Sequence, residues 1–159
     1  MIIHPIPPVW DKHSRILILG SFPSVKSREQ MFFYGHPQNR FWRVLSAVFK
    51  DACPQTIEEK RAFLLRQHIA LWDVVASCEI EGSADSSMKN VSPNDLTPIL
   101  NGADIRQIYV NGKTAQKFYI RYTQPITGRE AVCLPSTSPA NAAWGLERLI
   151  EAWSVTASA

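Results

Sequence analysis

Apolar and polar positions alternate between two kinds of segment along the chain. Four short, largely apolar stretches, Arg15 to Gly20, Ile69 to Ala76, Ile105 to Val110 and Glu130 to Leu134, read as strands. Their near-continuous apolar character predicts burial on both faces. Between them the apolar residues recur at helical spacing. Phe41, Trp42, Leu45, Val48 and Phe49 predict an amphipathic helix from Asn39 to Lys50, ending before Pro54. Thr56, followed three positions later by Glu59, is a capping box that opens a helix through His68. A short helix follows Pro93, Asn94 and Asp95 and ends near Asn101 and Gly102; two more run from Lys113 to Tyr122 and from Ala140 to Trp153. The lead-in with Pro5, Pro7 and Pro8 is expected to be extended, Ser77 to Asn94 to be a long polar loop, and the chain to fray from Ala157.

Strands alternating with helices predict an α/β fold with a mostly parallel sheet covered on both faces. In such sheets ligands bind beyond the carboxyl ends of the strands. Those ends lead into Gly20 to Ser24, Asp73 to Lys89, Asn111 to Lys113 and Leu134 to Asn141. The four most unusual segments therefore converge on one edge, which marks that edge as the candidate site.

Composition narrows the possibilities. With 159 residues, 45% hydrophobic and 19% charged, the chain fits one globular domain spanning residues 1–159. No stretch approaches the ~18 apolar residues of a membrane span, and no basic segment precedes an apolar one at the N-terminus, so a soluble cytoplasmic protein is expected. Cys53, Cys78 and Cys133 are odd in number and never in CxxC spacing, and His4, His13, His36 and His68 lack ligand spacing. Neither a disulfide framework nor a metal site is expected, and no cofactor. A net charge of +3 is too small to imply a polyanion, but five basic residues face one acid, Glu29, between Arg15 and Arg43.

Motifs that tempt mostly fail. Asn111 to Thr114 ends like a phosphate-binding loop, yet Gln107 stands where its first glycine belongs, and Phe22 and Val25 break a dinucleotide fingerprint. Ser86 and Lys89 fit the SxxK spacing of serine acyl-enzymes without the companion motifs. What remains is a place for something flat and polar. Phe22, Phe33, Tyr34 and Trp72 offer π-faces, worth about 1–3 kcal/mol per stacked base. Ser21, Ser24, Ser136, Thr137 and Ser138 sit on proline-punctuated turns beside Lys26, Arg28 and Arg40, an arrangement suited to a phosphate backbone.

Five stretches together resemble the uracil-DNA glycosylase superfamily, in particular its hypoxanthine (deoxyinosine) branch and the related mismatch-specific uracil/thymine enzymes. They are Gly20 to Ser24, Tyr34 to Trp42 (YGHPQNRFW), Leu71 to Val74, Gly82 to Ser86 with Lys89, and Leu134 to Asn141, and the resemblance covers about residues 14–153. It implies a three-layer α/β/α sandwich around a central, mostly parallel four-stranded sheet. It also implies a monomeric enzyme acting on DNA that contains deaminated bases, by hydrolysis of the N-glycosidic bond and without cofactor.

Residue roles carried over by the resemblance are expectations. Phe22 stands where relatives carry a water-positioning Asn or Asp, so catalysis passes to Asn39, whose amide orients water by accepting its hydrogen bond. Phe22, Tyr34 and Asp73 line the base pocket, with Tyr34 stacking on the extruded base and Asp73 accepting N1–H of hypoxanthine. Ser24, Arg40, Lys89, Ser136, Ser138 and Asn141 face the DNA phosphates or groove. From the residues alone, Asn39 also reads as a helix cap, Asp73 as a structural acceptor and His36 as part of a turn. A uracil/thymine enzyme of the same fold, a catalytically idle nucleic-acid-binding module and a serine hydrolase through Ser86 and Lys89 are the rival readings.

Overall fold

The structure, a computed structural model, describes residues 1–81 and 87–159. Strand β1 (Ile2–Ile3) opens the chain, followed by β2 (Ile16–Gly20) and the helices α1 (Val25–Gln30), α2 (Phe41–Val48) and α3 (Ile57–Arg66). Strands β3 (Ile69–Asp73), β4 (Val75–Glu79) and β5 (Lys89–Pro93) come next, then α4 (Thr97–Gly102), β6 (Gln107–Asn111) and α5 (Lys113–Phe118). A π-helical stretch (Tyr119–Thr123), α6 (Gln124–Thr127), β7 (Ala131–Leu134), α7 (Leu146–Trp153) and a terminal 3-10 stretch (Ser154–Ser158) complete it.

The central sheet has the order β3-β2-β6-β7, and every pairing is parallel. The continuous apolar runs of β2, β3 and β6 are largely buried on both faces, whereas the edge strand β7 leaves Val132 exposed. Ile16 and Ile18 of β2, with Ile69, Leu71 and Tyr109, belong to one core packed by Phe41, Leu45, Phe63 and Trp153 from α2, α3 and α7. Leu17 and Leu19, with Ala70, Ile108 and Val110, point the other way into a second core with Ile99, Ala115 and Phe118 from α4 and α5. Strand alternation thus splits one apolar run between two helical layers, the expected three-layer arrangement. Thr56 and Glu59 form the predicted capping box of α3.

Three expectations change. The predicted strand Ile69 to Ala76 breaks at Val74, where the chain leaves the parallel sheet and enters a second, antiparallel sheet of order β1-β4-β5. The expected long loop Ser77 to Asn94 is therefore largely a hairpin, whose polar residues satisfy its backbone by ladder pairing. Ser86 and the Gly82 to Ser86 motif lie outside the described residues. The closing helix begins at Leu146 rather than Ala140, because main-chain carbonyls of residues 138, 141 and 144 are claimed by a side chain from elsewhere. No described helix is long and apolar enough to cross a membrane.

The break at Val74 positions the site. Val74 N–H donates to Gly20 O at 2.8 Å and Val75 N–H to Ser21 O at 3.0 Å. Asn94 Nδ2 closes the same corner, donating to the Asp73 carbonyl at 2.9 Å. The ends of β2 and β3 are thereby stitched together beside Asp73.

Candidate active site

A cavity of about 340 Å³ opens where the sheet edge was expected to hold a ligand. Residues from all four converging segments line it, Gly20 to Ser24, Asp73, Asn111 and Ser136 to Ala140, together with Tyr34 and Asn39. Its size falls at the lower end of the ~300–1,000 Å³ typical of small-molecule pockets.

Indole N–H groups anchor the surrounding chain to the core. Trp42 Nε1 donates to Phe33 O at 3.2 Å, Trp72 Nε1 to Ile6 O at 3.1 Å and Trp153 Nε1 to Pro135 O at 2.9 Å. Each large ring is at least half-buried, so the front loop, the N-terminal segment and the far loop are each pinned by a group that cannot move without opening the core.

Asn39 lies just before α2 and is held by its oxygen. Oδ1 accepts the Phe41 N–H at 2.9 Å and the Thr137 hydroxyl at 2.9 Å. Since a backbone N–H only donates, the amide cannot be turned the other way. Thr137, fully buried, is in turn fixed by Asn111, whose Nδ2 donates to Thr137 Oγ1 at 3.0 Å and whose Oδ1 accepts Thr137 N–H at 3.1 Å. Two accepted bonds fill the capacity of a carbonyl oxygen. Nδ2 has no protein acceptor among the described residues, and so is the part of this cavity-lining side chain left for a ligand.

Asp73 ends β3 and is 3% exposed. His4 Nε2 lies 2.8 Å from its Oδ2. The tautomer follows from the other ring nitrogen: Nδ1 accepts the Ile6 N–H at 3.1 Å and carries no proton, so Nε2–H donates to Asp73. Phe22, Phe33 and Trp72 surround the imidazole, with ring centroids 5.8–6.2 Å away. A Cβ added at Gly20 would collide with Asp73 Oδ1 and lie 2.8 Å from the Tyr34 hydroxyl. Glycine at this position lets the carboxylate and the phenol come over the end of β2.

Tyr34 adopts a left-handed backbone conformation, φ 53°, and stacks on Phe41 with centroids 3.9 Å apart. The ring so held lines the cavity. Phe22, 9% exposed, borders the cavity while its ring packs edge-on against His4.

The chain matches the family model of the uracil DNA glycosylase superfamily over residues 7–156. The chain belongs to the uracil DNA glycosylase superfamily. Among its relatives are two proteins named hypoxanthine DNA glycosylase. The one from Methanosarcina acetivorans is 35% identical over 146 residues, 89% of each chain, and that from Methanosarcina barkeri is 34% identical over 140 residues, 85% of each. A solution NMR structure from Methanosarcina acetivorans, described as a candidate uracil DNA glycosylase, superimposes with a TM-score of 0.83 at 33% identity, covering 99% of this chain and 97% of that one.

Within this superfamily frame, several expected groups take other positions. Arg40 does not offer its guanidinium to the groove: it donates to the Ser138 carbonyl at 2.9 Å, the Asn141 carbonyl at 3.1 Å and the Trp144 carbonyl. It clamps the far loop. Asn141 closes the same loop, its Nδ2 donating to Ser136 O at 3.0 Å. Lys89 borders a separate basic groove with Lys117 and Arg121 and is not among the cavity residues. Ser24 caps α1, accepting Ser27 N–H at 3.1 Å, and borders the cavity. Ser136 and Ser138 accept the N–H groups of Ser138 and Ala140, which leaves each hydroxyl proton free to donate. His36, exposed, shapes its turn: Nδ1 accepts Gln38 N–H at 3.1 Å and its carbonyl accepts Asn39 N–H.

Sequence reasoning did not single out His4 for the site, and it read Thr137 only as a turn hydroxyl suited to a phosphate backbone. Thr137 stood within a recognised motif, where its role is invisible without Asn111 and Asn39 beside it. His4 is 69 residues from its partner, and no local spacing signals such a pair.

The Arg40 clamp gives a first prediction. Arg40→Ala leaves three part-buried carbonyls without this donor and is expected to lower stability by about 1–3 kcal/mol. Urea denaturation measures this, and faster amide exchange over residues 136–144 localises it to the loop.

Proposed function

We propose that this chain is a DNA glycosylase that hydrolyses the N-glycosidic bond of deoxyinosine in DNA, releasing hypoxanthine and leaving an abasic site. The observation that carries the reading is Asp73: a buried carboxylate at the cavity wall with one oxygen already bonded by His4. Hypoxanthine presents N1–H to such an acceptor. Adenine presents a lone pair at the same ring position and would leave the carboxylate facing another acceptor, at a cost of about 1–3 kcal/mol or more. The names of the two relatives support the same substrate.

In the proposed mechanism the extruded nucleotide enters with its base against Tyr34 in the cavity wall, and inosine's weak pairing lowers the cost of flipping. Cleavage of C1′–N9 leaves its electron pair on the base and an oxocarbenium-like sugar. Asn39 Nδ2 donates to the departing base, where negative charge develops. The doubly bonded Oδ1 favours this donor role over the water-orienting role expected from the sequence. Water adds to C1′ and its proton passes to solvent. The Ser136 and Ser138 hydroxyls donate to flanking phosphates. The proposed working unit is a monomer.

Single-turnover assays on matched duplexes holding inosine, uracil, a G·T mismatch or only normal bases test this. Fast hypoxanthine release with adenine untouched is the expected result. Release of uracil or thymine without hypoxanthine would move the activity to the mismatch branch, and no release from any duplex would favour a DNA-binding module.

A further inference from the structure

The N-terminal segment enters the site through contacts made far along the chain. His4 N–H donates to Ala76 O at 2.7 Å, Val9 and Leu71 exchange a pair of backbone bonds, and Trp72 Nε1 holds Ile6 O. These contacts deliver the His4 ring to the back of Asp73, with a side chain only 3% exposed. An aromatic enclosure and a backbone N–H at Nδ1 leave the ring one orientation and one tautomer.

We infer that His4 is the positioning residue for base reading: its Nε2–H engages Asp73 Oδ2 and so presents the other carboxylate oxygen to the cavity as an acceptor. The inference rests on the proposed hypoxanthine reading and extends it from Asp73 to a residue that touches no substrate. Its logic is directional. Nε2–H can only donate, so whichever Asp73 atom meets it must accept. With a carboxylate, both oxygens qualify and the pocket still receives an acceptor. With an amide at position 73, the oxygen must turn to His4, and the NH2 group then faces N1–H of the base, donor against donor.

This produces opposite effects of one substitution in two backgrounds. His4→Asn keeps an oxygen two residues before Ile6 N–H, an Asx-turn, while removing the donor to Asp73. In the wild-type background it releases the carboxylate from its fixed orientation, and single-turnover release of hypoxanthine should fall about 10–100-fold. In the Asp73→Asn background, itself slow, it frees the new amide to turn its oxygen to the base, and release should rise about tenfold. His4→Gln reaches the Nε2 position with an N–H donor and should stay within about threefold of wild type.

The experiment is the four-member cycle of wild type, His4→Asn, Asp73→Asn and the double variant, with His4→Gln as rescue. Each is assayed on an inosine duplex, with DNA affinity and thermal melting measured alongside. Reversal of sign, with affinity held within about twofold, supports the inference; a purely structural His4 would slow both backgrounds. If the wild type releases hypoxanthine and His4→Asn slows release in both backgrounds or in neither, the positioning role is wrong while the glycosylase reading stands. If His4→Asn fails to fold, His4→Gln decides: a rate near wild type supports the role and a rate about 10–100-fold lower overturns it. If the wild type releases no hypoxanthine, the functional reading fails and the inference with it.

Discussion

Asn39→Asp is expected to release hypoxanthine at least ~100-fold more slowly than the wild type, as slowly as Asn39→Ala, with DNA binding retained. The expectation follows from which atom of Asn39 is free. Its oxygen holds Phe41 N–H and the Thr137 hydroxyl, and a carboxylate oxygen would hold both equally well. The local structure therefore survives the substitution. What changes is the atom facing the cavity, from a donating NH2 to an accepting oxygen. A group that stabilises the leaving base must donate, and losing one well-placed donor costs about 10²–10³-fold. Had Asn39 worked by accepting a hydrogen bond from water, Asp would serve at least as well. Single-turnover rates for Asn39→Asp and Asn39→Ala on one inosine duplex separate the two roles, and near-wild-type activity of the Asp variant would exclude the donor role.

Gly20→Ala is the second large effect. The added methyl would occupy space held by Asp73 Oδ1 and the Tyr34 hydroxyl. Neither neighbour yields easily: Asp73 is bonded to His4 and held through its main chain by Asn94, and the Tyr34 ring is stacked on Phe41. Overpacking of this kind costs about 1–3 kcal/mol. The activity loss is expected to exceed that measure, about 100-fold in base release, because the carboxylate and the stacking ring move away from the base together. Chemical denaturation gives the first quantity and single-turnover kinetics the second. A stable variant with unchanged release would show that the approach of Asp73 to Gly20 has no bearing on the reaction.

Much of this architecture was legible in the chain. The four parallel strands were marked by continuous apolar runs, because strands covered on both faces, as β2, β3 and β6 largely are, have no polar side to alternate with. Helix α3 announced itself through Thr56 and Glu59, whose capping contacts are local. The cavity was placed at the right edge because strand direction alone brings Gly20, Asp73, Asn111 and Leu134 to one end. The antiparallel hairpin was read as loop for the opposite reason. Its residues, such as Lys89, Asn90 and Ser92, have little strand propensity and gain their structure from pairing with β4.

Arg40 shows where local reading stops. Beside Asn39 and a short basic excess it reads as a phosphate contact, yet its partners are carbonyls 98 to 104 residues away. Those same carbonyls account for the late start of α7. Lys89 is the converse case, placed in a motif by order along the chain but carried by its strand to a different groove.

By itself, then, the sequence determined the periodicity, the parallel sheet and the edge that carries the cavity, since each depends on spacing or strand direction, while its motif resemblance grouped Tyr34, Asn39 and Asp73 in one candidate site. The tertiary structure alone decided which atoms those residues present. Asn39 offers an NH2 because Thr137 and Phe41 take its oxygen, and Asp73 is gripped from behind because the N-terminal segment brings His4 across 69 residues. Hydrogen-bond direction is set by the partner, and in this fold the deciding partners lie far away along the chain.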